Sequence, residues 1–207
     1  MKTKEKILNH ALLLFNIKGV ADVSIRQIAK EAGISHGNLI YHYRSKSEIV
    51  QGIHQMLLEK AIELNENIDK SRFDFSELFR ATKDGFQVAY EFRFLFMELL
   101  YIVKKDSTML GIIKNVEYVR SAMYREVIQL SIENGLMKKE SFQNQYNLLI
   151  DRIKIYSDHW LASAAIYDDF DAKPDFNKYT LLFMDQFYMY LTDKGRENYN
   201  KQQLAKL

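Results

Sequence analysis

Residues Ser24–Tyr43 have the sequence SIRQIAKEAGISHGNLIYHY, which predicts two short helices in the first part of the chain. Ser24 and Gln27 have the spacing of a capping box, in which each side chain bonds the other residue's free backbone N–H. This spacing predicts a short helix that begins at Ser24 and ends at Gly33. Ser35 then predicts the start of a second short helix, which reaches the end of the quoted stretch.

The two short helices have small and apolar residues at the positions where a tight turn between them needs such residues. Ala29 allows the helices to approach closely, Gly33 provides a positive φ for the turn, and Leu39 buries the inner side of the second helix. The outward side is polar instead. Its residues are Ser35, His36, Asn38, Tyr41, His42, Arg44 and Lys46. This pattern is typical of a helix-turn-helix whose second helix enters the DNA major groove.

The chain on either side of this stretch also has a helical pattern. A first helix is predicted from about Thr3 to Lys18, with Gly19 at its end. Further helices are predicted near residues 46–69, 75–90, 91–104, 107–134, 143–168 and 176–200. The sequence therefore predicts an all-α fold with two domains. These are an N-terminal three-helix head over residues 1–46 and a larger helical domain over residues 47–207.

Charge is distributed unevenly along the chain. The whole sequence has a formal net charge of +2, but the first 50 residues contain eight basic and four acidic side chains. The remaining residues therefore carry a small negative net charge. A basic N-terminal part on a nearly neutral body favours a polyanion partner at that end of the molecule.

Composition excludes several classes of protein. The chain has no Cys, which excludes disulfides, Cys-ligated zinc, iron–sulfur clusters and thiol nucleophiles. The longest strongly apolar stretch, Phe94–Val103, is far shorter than the roughly 20 residues of a membrane-spanning helix. Neither a membrane partner nor a signal peptide is predicted, so we expect a cytoplasmic protein.

The two C-terminal helices have apolar residues on more than one stripe. One stripe is sufficient for the core of a single copy, so a second stripe predicts an interface in which two helical hairpins pair around a two-fold axis. The residues predicted to form this interface are Ile153, Trp160, Leu181, Met184, Tyr188 and Leu191. A large core within one copy is the alternative interpretation.

The N-terminal pattern resembles the tetracycline-repressor (TetR/AcrR) family of bacterial transcription regulators. The matching residues are Phe15, Gly19, Ser24, Arg26, Ile28, Ala29, Ala32, Gly33, Ile34, Ser35, Gly37, Leu39, Tyr41, His42, Tyr43 and Lys46. They cover about the first quarter of the chain. One departure is Ile40, where family members commonly have a Tyr that touches DNA, so the DNA sequence read by relatives does not transfer to this chain.

The resemblance implies a set of DNA contacts and a palindromic operator in double-stranded DNA, because two heads of a homodimer would bind it. The implied DNA-binding residues are Ser24, Arg26, Ser35, His36, Gly37, Asn38, Tyr41, His42 and Lys46. Asn38 has a side chain suited to base edges, and Arg26 has one suited either to phosphate or to a guanine edge. Tyr41, His42 and Lys46 suit phosphates.

The resemblance also implies that the larger domain binds a small-molecule effector, whose identity is unknown, and that this binding changes the affinity of the heads for DNA. The candidate effector-binding residues are aromatic or Met, which favours an apolar or aromatic ligand. They are Phe86, Tyr90, Phe94, Met97, Tyr101, Met123, Tyr156 and Trp160. The same residue types at helical spacing are also typical of a core.

No common catalytic motif occurs in the sequence, and the five His residues lack metal-ligand spacing. Four acidic residues, Asp168, Asp169, Asp171 and Asp175, could bind a hard cation but have the composition of a solvated loop. We therefore predict no catalytic residue, no cofactor and no metal. The prediction is a homodimeric transcription regulator, in the first place a repressor released by its ligand. The alternatives are a ligand-binding or protein-interaction module with a degenerate DNA head, and an enzyme with a site among the aromatic residues.

Overall fold

The computed structural model describes residues 2–66, 74–169 and 172–204, with the backbone alone described at residues 202–204. Its α-helices are α1 Thr3–Asp22, α2 Ile25–Glu31, α3 His36–His42, α4 Lys46–Glu66, α5 Phe75–Glu91, α6 Arg93–Met97, α7 Leu99–Lys105, α8 Ser107–Glu133, α9 Gln145–Tyr167, α10 Phe176–Asp185 and α11 Asp193–Leu204. Across these residues there is no strand, and no helix is both long and apolar enough to cross a membrane. The predicted all-α fold class is confirmed.

The chain divides into two compact units. Unit 1 consists of Met1–Ile62 and Val88–Gly111, and unit 2 consists of Glu63–Gln87 and Ile112–Leu207. Unit 1 therefore contains the N-terminal helices together with a segment from the middle of the sequence. The domain boundary predicted between residues 46 and 47 falls inside unit 1.

Local hydrogen bonds define α2 and α3 as the sequence predicts. The Ser24 Oγ accepts from the Gln27 N–H at 3.2 Å, and the Gln27 Oε1 accepts from the Ser24 N–H at 2.7 Å, which completes the capping box. Gly33 has a φ of +60° in the turn. The Ser35 Oγ accepts from the Asn38 N–H at 3.1 Å and caps α3. These contacts span only three residues each, so neighbouring side chains determine them.

The first helix has an interruption at Gly19. This residue has φ 79° and ψ 159°, and the chain then adds a short helical turn up to Asp22. Lys18 is thus the last residue before the break, as predicted. The carboxylate of Glu98 accepts from the Val20 N–H at 3.0 Å, and a β-carbon on Gly19 would lie only 2.9 Å from the Glu98 Oε1. Glycine therefore serves both the backbone conformation and the close approach of Glu98.

The segment Val88–Gly111 packs against α1 through polar and aromatic contacts in addition to that of Glu98. The Asn16 side chain donates to the Glu91 carbonyl at 2.7 Å and accepts from the Phe94 N–H at 3.1 Å. The Phe15 and Phe94 rings lie 5.1 Å apart. Because Asn16 bonds backbone groups at the junction of α5 and α6, it fixes this junction against α1.

Unit 2 has a core of stacked aromatic rings. The Phe86 ring stacks on Trp160 with centroids 4.6 Å apart and also contacts Tyr156 at 6.2 Å and Phe183 at 5.8 Å. Tyr179 extends the cluster, with its ring 5.1 Å from Trp160. These rings come from α5, α9 and α10, so the aromatic core joins all three helices.

The predicted single helix over residues 176–200 is wrong. The chain leaves the helix at Asp185, forms a short 3-10 helix at Tyr188–Tyr190, and starts α11 at Asp193. Between these elements the backbone pairs with a distant segment: the Lys138 N–H donates to the Tyr190 carbonyl, and the Thr192 N–H donates to the Leu136 carbonyl at 3.0 Å. This pairing replaces the helical hydrogen bonds that a continuous helix would need.

The other helix predictions agree with the structure apart from one break and small shifts at the ends. The helix predicted over residues 91–104 is two helices, α6 and α7, which are separated at Glu98. Gly135 follows α8 with a φ of +69°, as its predicted position at a helix end requires. Residues 67–69, the predicted end of α4, lie outside the described residues.

Candidate nucleic-acid interface

Helix α3 is buried on one side and exposed on the other. Leu39 is fully buried, at 0% exposure, and contributes to the packing of the head together with Ile28 and Ala32. Tyr41 is 84% exposed, and Asn38 is also at the surface. The helix thus presents a row of polar side chains to solvent while its apolar side holds it in the head. Ser35, His36, Gly37 and Asn38 all lie on this exposed surface, as predicted.

Two of the predicted base-reading side chains are free to meet DNA. Arg26 on α2 and Asn38 on α3 are exposed, and their side chains make no hydrogen bond or ion pair with any described residue. Ser24 is exposed but its hydroxyl is used in the capping box. His42 is half-buried and its ring lies 5.2 Å from the ring of Tyr41. A guanidinium and an amide without internal partners have their donors and acceptors available for base edges.

Lys46 has an internal role that the sequence did not predict. Its ammonium donates to the Val20 carbonyl at 2.5 Å and to the Ala21 carbonyl at 3.3 Å. These carbonyls belong to the last turn of α1, where a cation is favourable. Lys46 therefore ties the start of α4 to the end of α1, and its contact with DNA phosphate stays a prediction.

Asp106 is a positioning residue that the sequence interpretation missed. One carboxylate oxygen accepts from the Ser47 hydroxyl and from the Gln51 amide, the latter at 2.8 Å. The other oxygen accepts from the backbone N–H groups of Thr108 at 2.9 Å and Met109 at 3.4 Å, at the start of α8. The hydrogen bond from Ser47, followed by those from Gln51 and the two amides, lowers the pKa of Asp106 to about 2.

The sequence did contain a signal for part of this role. Asp106 directly precedes the helix predicted at residue 107, and Asp is a preferred residue at helix starts. The bonds to Ser47 and Gln51 span more than 50 positions, so no local pattern could have indicated them. Together with Lys46 and Glu98, Asp106 places the head within unit 1.

The predicted effector-binding residues are distributed over both units. Tyr90, Phe94, Met97 and Tyr101 are in unit 1, whereas Phe86, Met123, Tyr156 and Trp160 are in unit 2. Phe94 is buried against Phe15, and the three unit 2 aromatics pack on one another. This packing is typical of a core, but Tyr156 and Trp160 also line a groove of about 420 Å³ in unit 2. Effector binding by these residues stays a prediction. Tyr101 borders a cleft of about 320 Å³ in unit 1.

The structure corrects four of the predicted interface residues. Ile153, Trp160, Met184 and Leu191 are between 0% and 2% exposed within the single chain, so their side chains are not available to a second copy. Leu181 and Tyr188 are half-buried, and the Tyr188 ring contacts Tyr199 at 5.3 Å. The large apolar side chains at the surface of α9 and α10 are Leu148, Ile155, Ile166, Tyr167 and Leu182. Helices α9 and α10 therefore do have a second apolar stripe, but it consists of residues other than the predicted ones.

The acidic cluster is engaged in local structure. Asp168 accepts from the Lys178 ammonium and from the Tyr179 hydroxyl, and the bond from Lys178 lowers the pKa of this carboxyl. Asp175 caps α10 through the Asn177 N–H at 2.9 Å. Asp171 lies outside the described residues. Within the ranges that the structure covers, no group of three or more acidic or His side chains could hold a metal ion.

Comparison with known families decides what kind of protein this head belongs to. Residues 7–53 match the family described as "Bacterial regulatory proteins, tetR family", and residues 54–199 match TetR, described as "Bacterial transcriptional repressor". The chain belongs to the TetR family. Both the helix-turn-helix and most of the remaining chain carry the family pattern, so the resemblance seen in the first quarter is confirmed. The family is one of DNA-binding transcription regulators.

Individual relatives and structures agree with this assignment. The chain is 25% identical over 173 residues to the biofilm operon regulator IcaR of Staphylococcus aureus, named a negative transcriptional regulator, covering 82% of this chain and 88% of IcaR. A TetR-family regulator from Marinobacter aquaeolei has the same fold, with a TM-score of 0.82 at 22% identity over 95% of each chain. The Stenotrophomonas maltophilia repressor SmeT, solved with triclosan, has a TM-score of 0.68 at 17% identity over 93% of each chain.

Proposed function

We propose that this TetR-family regulator is a homodimeric repressor that recognises a palindromic DNA sequence and is released from it by a small molecule. The observation that carries the proposal is the exposed polar side of α3, on which Asn38 has no internal partner within the described residues while Leu39 anchors the opposite side. This arrangement suits a helix that docks rigidly in the major groove.

Within this proposal the exposed side chains have two kinds of task. Arg26 and Asn38 read base edges, because guanidinium and amide groups can form paired hydrogen bonds with guanine and adenine. Tyr41 and His42 contact phosphates and set the register of the head on the duplex. Ser35, His36 and Gly37 form the end of α3 that comes nearest to the bases.

Dimerisation is supported by an exposed apolar surface on unit 2. Ile155 and Leu182 are 64% and 49% exposed, and they border a groove of about 420 Å³ between α9 and α10. Exposed apolar side chains around a groove are typical of a protein interface. A two-fold pairing through this surface would present two copies of α3 and would require a palindromic operator.

Repression and ligand response are supported by the relatives. IcaR is named as a negative regulator, and SmeT is a repressor solved with an apolar aromatic compound. By analogy we place this chain in the cytoplasm, where its DNA would be accessible. A ligand that favours one of two head arrangements needs a coupling of only about 1–3 kcal/mol to change DNA affinity 5–150-fold.

The variant Asn38→Ala tests whether α3 reads sequence. On the duplex that the native protein prefers, we expect a loss of about 1–3 kcal/mol in binding free energy, with little change on scrambled DNA. Fluorescence anisotropy at several salt concentrations measures both. Asn177→Ala, at an exposed position on α10, is the matched control and should bind as the native protein does.

The same measurements distinguish a sequence-reading regulator from a module whose DNA head no longer reads sequence. A module with a degenerate head would bind both duplexes weakly and with the same steep salt dependence. Equal losses on preferred and scrambled DNA for Asn38→Ala would contradict the proposed role of this residue.

A further inference from the structure

Unit 1 contains a cleft to which the proposed function assigns no ligand. It lies between the end of α1, the start of α4, α7 and the first turn of α8, and has a volume of about 320 Å³. We propose that this cleft binds a small amphipathic carboxylic acid, with its carboxylate on two lysines and its apolar part in the cleft. The acid should bind the protein in the absence of DNA, so its affinity can be measured without any assay of DNA binding.

The floor of the cleft is apolar and preformed. Val20, Val50, Ile102 and Met109 line it, and each is between 0% and 6% exposed. Tyr101 stands at the surface, at 39% exposure, and adds an aromatic wall. The volume lies at the lower end of the range for small-molecule sites, which favours a compact ligand.

The polar residues of the cleft make it electropositive. Lys46 and Lys105 line the cleft together with Asp106. Both oxygens of Asp106 already accept hydrogen bonds from Gln51 and from the start of α8, so this carboxylate is satisfied internally. Two ammonium groups against one carboxylate leave one positive charge for an occupant.

The two ammonium groups have capacity left for a ligand. Lys105 makes no hydrogen bond or ion pair with the residues that the structure describes. Lys46 gives two hydrogen bonds to the carbonyls of Val20 and Ala21, and an ammonium has three donors. An apolar floor beneath a single net positive charge matches a monoanion with an apolar body, and disfavours a cation.

The probe pair 4-phenylbutyrate and 4-phenylbutanol separates charge from apolar contact. Isothermal titration calorimetry on the full chain should give saturable binding of 4-phenylbutyrate, with the neutral alcohol bound about tenfold more weakly. Lys105→Met should weaken the acid about tenfold and leave the alcohol unchanged. Lys104→Met is the matched control, because Lys104 is exposed on the same helix but outside the cleft, and it should bind the acid as the native chain does.

Methyl NMR of the methionines locates the binding. The acid should shift the Met109 methyl signal, identified through Met109→Leu, and leave that of Met189, which is exposed in unit 2, unchanged. The proposal is overturned if the acid does not bind, if acid and alcohol bind equally, or if both lysine variants behave alike. A shift confined to methionines of unit 2 would also overturn it.

Discussion

Both units contain polar side chains that bond distant backbone groups, as Asn198 does in unit 2, but the aromatic rings form an extended stacked cluster in unit 2. Asn16 and Glu98 each bond backbone groups more than 70 positions away, and Lys46 bonds the end of α1. In unit 2, Phe86 and Trp160 are the centre of the ring cluster. Hydrogen bonds are directional and fix orientation, while apolar burial is non-directional and mainly supplies stability. The orientation of α3 in unit 1 depends on the first property, and the stability of unit 2 depends on the second.

The largest expected effect is on the oligomeric state, and it shows whether exposed apolar residues have different roles in the two units. Ile155→Asp should convert the proposed dimer into monomers, because a two-fold axis at this surface would place two carboxylates in one apolar interface, at a cost of about 4 kcal/mol or roughly 1,000-fold in dissociation constant. Analytical ultracentrifugation measures this. Leu100→Asp in unit 1, at 66% exposure against 64% for Ile155, should remain dimeric. A dimer that survives Ile155→Asp would place the interface elsewhere.

The next effect concerns the aromatic core of unit 2. Trp160→Ala should lower the free energy of unfolding by about 3 kcal/mol, at the lower end for a buried aromatic. The reason for the lower value is that the buried Trp160 Nε1 has no partner among the described residues, so its removal offsets part of the loss. Urea unfolding followed by circular dichroism measures the change. Phe142→Ala is the control, because its ring is 55% exposed, and it should lower the free energy of unfolding by under about 1 kcal/mol. Equal losses of unfolding free energy for the two variants would argue against a stacked core.

Two Gly→Ala variants, one in each unit, test where the backbone requires glycine. Gly19→Ala should destabilise unit 1 by about 2 kcal/mol, because its backbone conformation is nearly exclusive to glycine and Glu98 lies against it. Gly85→Ala in α5 should stabilise unit 2 by about 1 kcal/mol, since no atom lies within 4 Å of the new methyl group. Thermal unfolding of both variants checks the opposite signs. A stabilising Gly19→Ala would contradict the described contact with Glu98.

The smallest effect is pH-dependent and concerns the polar contacts of unit 1. Because the pKa of folded Asp106 is lowered to about 2 from 3.8, its contribution to stability is present above about pH 4 and is lost as the pH falls towards 2. Asp106→Asn should therefore cost about 1 kcal/mol at pH 7 and almost nothing near pH 2. Urea unfolding across this range tests it, with exposed Asp22→Asn as the control. A loss for Asp106→Asn that does not change with pH would refute the ionised contact.

The sequence predicted best what neighbouring residues determine. The capping box of Ser24 and Gln27, the turn at Gly33 and the cap at Ser35 all depend on contacts within a few positions, and all are confirmed. The same local pattern carried the family resemblance. The exposed side of α3 followed from it, because burial of Leu39 determines which side faces outward.

Features that depend on distant segments could not be predicted in the same way. The break after Asp185 arises from backbone pairing with Leu136 and Lys138, and neither the local pattern nor helix propensity contains that contact. The role of Asp106 towards Ser47 has the same origin.

The interface residues show a second limit of sequence patterns. A pattern indicates that α9 and α10 have two apolar stripes but not which stripe faces the core. The structure buries Trp160 and Met184, which the pattern assigns to the interface, and exposes Ile155 and Leu182, which it does not assign.

Selection from a randomised duplex library with the purified, ligand-free protein tests whether the chain reads a palindromic DNA sequence. We predict enrichment of a palindrome, because in the proposed dimer each copy of α3 would read one half-site. Asn38→Ala should lose preference at one or two base pairs of each half-site. A folded, dimeric protein that enriches no sequence, or only an unpaired half-site, would show that the chain does not read a palindrome.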